Sequence, residues 1–345
     1  MAVFERNAVE QEISFVTSFD GTRLGCASAG IGPPMVKAPN WLSHLTADWE
    51  GPVWSHWWRE LTIFHRLIRF DQRGCGLSDR AVADLSFEAW VRDLESVVEA
   101  MGLTRFPLFG MSQGAAVAVE FAVRNPEKVS CLILYGGIAR GWAKSGHPPE
   151  ANEALATLIR SGWESDNPAF RQVFTSQFMP DATKDQMDSF NELSRISTSA
   201  QNAVRFQYEV GQVDIISSLA QVRCPTIVCH CRHDARVPFA EGLRELAAGQ
   251  IGLDGDLIRP GRLNWALQEL SQREPIPTGQ RERRYMRLQK AISTNWPSVR
   301  HAERLSIDRG SRALRFRRRG ACIRGVPGVI PAHTAHPLRA RAESG

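Results

Sequence analysis

A short apolar run, Phe106-Pro107-Leu108-Phe109, ends in Gly110-Met111-Ser112-Gln113-Gly114, and the small-residue pattern Ala115-Ala116-Val117-Ala118 follows at once. A bare G-x-S-x-G string occurs in ordinary turns. A strand before it and a helix after it give it weight, because together they make a sharp elbow with the serine at its apex. Strand and helix then pass so close that a Cβ at Gly110 or Gly114 has no room. The helix N-terminus aims backbone N–H groups at one point beside the serine, where charge developing on an attacked carbonyl oxygen is stabilised. Ser112 is therefore the candidate nucleophile.

The rest of the chain alternates strand and helix around this turn. Residues 13–18 and 23–27 flank Asp20-Gly21, a hairpin signal. Residues 34–38 read as the next strand, with 39–44 as the loop leaving it. Trp54, Trp57, Trp58 and Leu61 recur at helical spacing and are expected in the core. Residues 66–70 form a strand leading into Asp71-Gln72-Arg73-Gly74-Cys75-Gly76. Phe87, Trp90, Val91, Leu94, Val97, Val98 and Met101 mark one face of a long helix, with Ser86 at its N-cap and Gly102 at its stop. Residues 129–135 are almost wholly apolar, as in a parallel strand covered on both faces. From 138 to 213 the pattern is helical and broken by prolines, which predicts an inserted helical cap. The sheet resumes at 225–231. This alternation predicts an α/β fold with a mostly parallel, doubly wound sheet.

Composition sets the outer bounds. An apolar content of 43% over 345 residues suffices for one large packed domain. The N-terminal stretch is charged, no run is long enough to span a bilayer, and the seven cysteines are odd in number and scattered. These features predict a protein of the reducing cytoplasm rather than a membrane or disulfide-bonded one. The net charge of +5 is unevenly placed. Residues 251–345 hold 19 basic side chains, 18 of them Arg, against eight acidic ones, for a net +11; residues 1–250 hold 23 basic and 29 acidic, for a net −6. The expected domain organisation is thus 1–250, with 138–213 inserted in it, followed by an Arg-rich segment over 251–345.

Four motifs in order resemble the α/β-hydrolases of the serine-nucleophile type: Val36-Lys37-Ala38-Pro39-Asn40-Trp41-Leu42-Ser43-His44-Leu45, Arg69-Phe70-Asp71-Gln72-Arg73-Gly74-Cys75-Gly76-Leu77-Ser78-Asp79, the elbow, and Cys229-His230-Cys231-Arg232-His233-Asp234-Ala235-Arg236-Val237-Pro238-Phe239. The similarity is greatest to a bacterial group in which such a domain is often fused to a nucleotide-cyclase or LuxR-type helix-turn-helix domain. The resemblance implies hydrolysis of an acyl, ester-like bond in a small-molecule substrate by a Ser-Asp-His mechanism, with no cofactor. An oxyanion formed by attack of Ser112 needs two donors. One is the N–H of Gln113. The other comes from the loop after the third strand, where Pro39 has no N–H and Asn40 or Trp41 remains. Asp234, at a strand end, is the expected acid, since Gly136-Gly137 occupies the alternative position. Asp71, Arg73 and Asp79 read as scaffold. Cys229-His230-Cys231 invites a zinc reading, but alternate residues of a strand face opposite sides and cannot converge on one ion; they are expected to be core cysteines.

The pattern breaks after Ala248. The third triad member belongs roughly 25–30 residues beyond the acid, yet no histidine stands in Leu253-Asp254-Gly255-Asp256-Leu257-Ile258-Arg259-Pro260-Gly261-Arg262-Leu263-Asn264-Trp265, and no clear strand follows. Three readings stay open. The segment is an altered or out-of-frame C-terminus; or His301, His333 or His336 folds back, or His44, His56 or His65 serves instead; or 251–345 is a degraded DNA-binding module. Two short stretches, Glu282–Leu288 and His301–Ile307, echo LuxR-type domains, although Trp296-Pro297 breaks a helix where one is needed. On that last reading the protein is a ligand-binding regulator, and its Arg-rich tail contacts nucleic acid through phosphates.

Overall fold

The computed structural model describes residues 9–40, 42–146, 148–231, 234, 236–239 and 241–242, together with the backbone of Ile251–Asp254. The chain divides into a unit over Met1–Val299 and one over Arg300–Gly345, and the described residues all belong to the first. Its strands are β1 (Gln11–Thr17), β2 (Arg23–Ala29), β3 (Pro34–Lys37), β4 (Arg66–Phe70), β5 (Phe106–Met111), β6 (Val129–Tyr135), β7 (Thr226–His230) and β8 (Ile251–Asp254). They lie in one sheet in the order β1-β2-β4-β3-β5-β6-β7-β8. β1 and β2 run antiparallel to their neighbours, and every pairing from β4 to β8 is parallel.

Alternation along the central strands explains their apolar sequence. Phe106 and Leu108 of β5 join one core cluster, whereas Phe109 and Met111 join the other; on β6, Leu132 and Leu134 face one way and Cys131 and Ile133 the other. Both sheet faces are therefore covered. α3 (Phe87–Ala100) and α4 (Gln113–Arg124) cover one through Trp90, Leu94, Val117 and Phe121. α2 (Ser55–Leu61) covers the other with Trp57 and Trp58.

Between β6 and β7 come α5 (Glu150–Gly162), α6 (Ala169–Ser176), α7 (Lys184–Ser197), α8 (Ala200–Gln212) and the short α9 (Ile216–Leu219). The segment leaves and rejoins the sheet domain at one place, marked by an isolated antiparallel bridge between Arg140 and Asp214. Its helices hold their own small core of Leu155, Ile159, Trp163, Phe174, Phe190 and Leu193, to which Leu42 and Val53 of the sheet domain contribute.

Two features differ from the sequence reading. Residues 251–254, where sequence shows no strand, pair parallel with β7, Ile227 opposite Ile251 and His230 opposite Asp254. Four residues are too few for alternation to register, and an edge strand is recognised by the neighbour it hydrogen-bonds. α1 (Leu45–Glu50) is likewise too short to show a period; His44 caps it through Nδ1, which accepts from the Ala47 N–H at 3.5 Å. Among the described helices none is long and apolar enough to cross a membrane.

The motif after β4 is scaffold. The Arg73 guanidinium, wholly buried, donates in a two-pronged pair to Asp93 of α3, at 2.7 Å through both Nε and Nη2, and reaches Asp20 of the β1–β2 turn at 2.7 Å. One side chain thus ties a sheet loop, a helix and a hairpin turn. Arg73→Met strands the Asp93 carboxylate in the core, so a loss of about 3–5 kcal/mol of stability is expected in urea unfolding; a loss under about 1 kcal/mol would show that solvent reaches Asp93.

Candidate active site

Ser112 occupies the turn between β5 and α4 with φ 52° and ψ −126°, alone among the described non-glycine residues in having positive φ. Such a conformation costs on the order of 1–3 kcal/mol and persists only where the surroundings hold it. Here they do. The Ser112 N–H donates to the Tyr135 carbonyl at the end of β6 (2.9 Å), and the Ala115 N–H donates to the Ser112 carbonyl (3.0 Å). The two glycines are required sterically. A Cβ on Gly110 would lie 2.6 Å from Ala115 Cα, and one on Gly114 would lie 2.5 Å from the Pro39 carbonyl oxygen. The second contact shows that Gly114 lets the loop after β3 approach the elbow.

That loop carries Asn40, which lines a cavity of about 630 Å³ together with Ser112 and Asp234. Trp41, the other donor candidate, lies outside the described residues. Gln113 stands at the first position of α4, where a helical N–H has no partner within the helix. Its buried side chain donates to Gln72 Oε1 at 2.8 Å, fixing the start of the helix to the loop after β4.

Asp234 sits in the turn after β7. Its Oδ1 accepts the N–H groups of Arg236 (2.8 Å) and Val237 (2.7 Å). Its Oδ2 faces Gly136, where a Cβ would come within 3.8 Å of it. One oxygen is thus committed to shaping the turn, and the other lies beside the end of β6, adjacent to the strand that carries Ser112.

The described histidines do not complete a triad. His230 Nε2 lies 3.9 Å from Asp234 Oδ2, but it is nearer the Val237 carbonyl (3.0 Å), and the ring is buried away from the cavity lining. Gly242 packs on that ring: a Cβ there would reach 2.4 Å from Nδ1. His44 caps α1, and His56 lies on α2. Burial lowers the pKa of His56 and of His65, favouring the neutral ring; neither lines the cavity. Residues 255–265, His301, His333 and His336 lie outside the described residues, as does the DNA-binding reading of 251–345 apart from the backbone of β8.

Several cavity residues escaped the sequence reading. Trp54, grouped by helical spacing with the core, lines the cavity beside Leu42, Met111 and Phe190. Cys231, expected in the core, is half-exposed there, its Sγ 3.8 Å from the Tyr135 hydroxyl. A residue just past the end of a strand no longer alternates into the core, which is the reason for the difference. Among the described residues no group of three or more His, Cys, Asp or Glu side chains is disposed to hold a metal. A second cavity, of about 660 Å³, shares Ser112, Phe178, Arg236 and Val237 with the first.

Beneath Asn40 four buried charged side chains meet: Lys37, Asp48, Arg69 and Asp71. Lys37 Nζ donates to Asn40 Oδ1 and to the Ala38 carbonyl. Asp71 Oδ2 accepts the N–H groups of Leu45 (3.1 Å) and Leu77 (2.8 Å), joining this loop to the one after β4. Desolvation pushes Asp48 up to about 7 against the pull of Arg69, and lowers Lys37 to about 8 despite Asp48. The folded chain therefore keeps the Asp48 proton to about pH 7, whereas the ordinary value is 3.8, so Asp48 costs stability progressively as pH rises between them. Asp48→Asn lacks that cost. Its stability relative to the unsubstituted chain should improve from pH 4 to 7 by on the order of a few kcal/mol, read from urea unfolding at each pH; a constant difference would place Asp48 ionised throughout.

A mostly parallel sheet of this strand order, with a strained serine at the strand-to-helix turn in its middle, defines a hydrolase of the α/β type. The chain belongs to the α/β hydrolase fold family, which it matches over residues 51–250. It is 26% identical over 253 residues to the 2-hydroxy-6-oxo-2,4-heptadienoate hydrolase of Pseudomonas putida, covering 68% of this chain and 84% of that one. In fold it is similar to an esterase from Exiguobacterium antarcticum (TM-score 0.62, 20% identity, 75% of this chain and 98% of that one). It is also similar to the enol-lactonase of Burkholderia xenovorans LB400 (TM-score 0.59, 19% identity, 74% and 99%).

Proposed function

We propose that this hydrolase cleaves an acyl, carboxylic-ester-like bond in a small molecule, with Ser112 as nucleophile. The observation that carries the reading is Ser112 itself: it is held in a left-handed conformation at the head of α4, in the wall of a cavity it shares with Asn40 and Asp234. Strain of that kind, enforced by glycines on both sides, serves to present the hydroxyl.

In the proposed reaction Ser112 Oγ attacks the carbonyl carbon, its proton passes to a base, and the carbonyl oxygen becomes an oxyanion. The Gln113 N–H and a donor from Asn40 or Trp41 hold that oxyanion. As the carbonyl re-forms, the carbon–oxygen bond to the alcohol breaks and the base protonates the departing alkoxide. Water then takes the acyl group from Ser112 by the same steps in reverse order, releasing a carboxylic acid. Asp234 orients the base, a histidine, through Oδ2. The helices between β6 and β7 act as the cap that closes the cavity: Phe174, Phe178 and Phe190 stand over it.

A fluorophosphonate probe tests this directly. Intact mass should show a single adduct on the full chain and none on Ser112→Ala, because phosphonylation needs both the hydroxyl and a working base. Absence of an adduct on the folded chain would sink the proposal. Ester turnover should fall on the order of 10⁴-fold in Asp234→Asn, where the base loses its orienting charge, and on the order of a million-fold in Ser112→Ala.

A further inference from the structure

Two cavities meet at Ser112. The first is lined by Leu42, Trp54, Asn40 and Asp234, among others; the second by Arg140, Glu241, Leu155 and Val210, among others. Arg236 lines both.

Its guanidinium is conspicuously underused. It donates one hydrogen bond, from Nη2 to Gln207 Oε1 at 3.1 Å, and one face rests on the Phe178 ring with 5.9 Å to the centroid. It makes no ion pair among the described residues. Asp234, two residues away, turns Oδ1 to the backbone N–H groups of 236 and 237 instead. Arg140, by contrast, has its carboxylate: Glu241 lies 3.8 Å from its Nη2 and accepts its backbone N–H at 3.1 Å.

The Arg236 position is built rather than incidental. Gln207 is buried, its side-chain Nε2 donates to Asn152 Oδ1 at 2.9 Å, and its backbone carbonyl accepts from Trp142 Nε1 at 3.2 Å. The amide is thereby held with its oxygen toward Arg236. Loss of solvent lowers the guanidinium pKa, with Asp234 acting the other way, yet arginine stays charged near neutrality. A guanidinium has five donors in a planar fork that matches a carboxylate. At Arg236 one is used, and the cavity is where the rest can be satisfied.

We propose that Arg236 binds a carboxylate on the acyl portion of the substrate, so that the preferred substrates are monoesters of dicarboxylic acids. This rests on the serine-hydrolase reading above. The side of the bond follows from the base. Asp234 lines the first cavity and not the second, so a base oriented by Asp234 stands over the first, and the leaving group it protonates must lie there. The acyl chain then enters the second cavity, toward Arg236.

The test uses the full chain and two esters of similar length, 4-nitrophenyl hydrogen glutarate and 4-nitrophenyl pentanoate. The glutarate ester should show a kcat/KM at least about tenfold higher, in line with a two-pronged charge-assisted contact. The ratio should collapse toward one in Arg236→Gln and fall to an intermediate value in Arg236→Lys, which keeps the charge but not the fork. No preference in the unsubstituted chain, or a preference that survives Arg236→Gln, overturns the proposal. If neither ester is cleaved, the serine-hydrolase reading fails on its own. Calorimetric titration with glutarate then decides the present one: binding to the unsubstituted chain that weakens at least about tenfold in a folded Arg236→Gln supports it, and no binding, or binding the substitution leaves alone, overturns it.

Discussion

The close approach of three backbones at one point organises the site. β5 and α4 touch at Gly110, and the loop after β3 presses on Gly114, where the Pro39 carbonyl stands in the place of a Cβ. With no side chain to keep them apart, the Ser112 turn and the loop holding Asn40 come together above the C-terminal ends of adjacent strands. β3 and β5 are also where the chain reverses its direction of winding, β4 lying to one side of β3 and β5 to the other. Open α/β sheets leave a crevice at such a point. Ser112 stands in it because its own backbone is bent into a conformation that only this packing sustains.

Polar groups hold the surrounding loops. Asp71 accepts two N–H groups from separate loops, Lys37 ties Asn40 to the end of β3, and Arg73 joins the next loop to α3 and to the β1–β2 turn. These are buried charges, costly to desolvate and tolerable because each meets specific partners. The same economy is broken at Arg236. Its guanidinium borders both cavities and has one hydrogen bond among the described residues, while one oxygen of the neighbouring carboxylate serves the backbone. An underused cation beside a strained serine suits the binding of an anion brought by a substrate.

Legibility in the sequence varied with the range of the interaction. The elbow could be read because glycine, serine and glycine within five residues, between a strand pattern and a helix pattern, constitute a local steric argument. The long helix with Ser86 at its cap and the apolar strand at Val129–Tyr135 were legible for the same reason: period and cap are local. Trp54 packs on the core as its spacing predicts and also lines the cavity, whereas Cys231 leaves the core, because spacing assigns a side chain to a face and does not say whether that face also meets a cavity. Arg236 stood in a motif whose weight fell on Asp234, and nothing local marks an arginine whose partner is an amide on a distant helix.

The sequence by itself determined the α/β alternation, the glycine-flanked turn at Ser112 and the position of Asp234 after a late strand, because each follows from periodicity, turn stereochemistry and order along the chain. Tertiary structure alone decided that Ser112 stands in the lining of two cavities, that Asp48 and Lys37 share a buried site beneath Asn40, and that residues 251–254 extend the sheet. Those facts depend on which surfaces meet after folding, and contacts between residues tens to hundreds of positions apart leave no period in the chain.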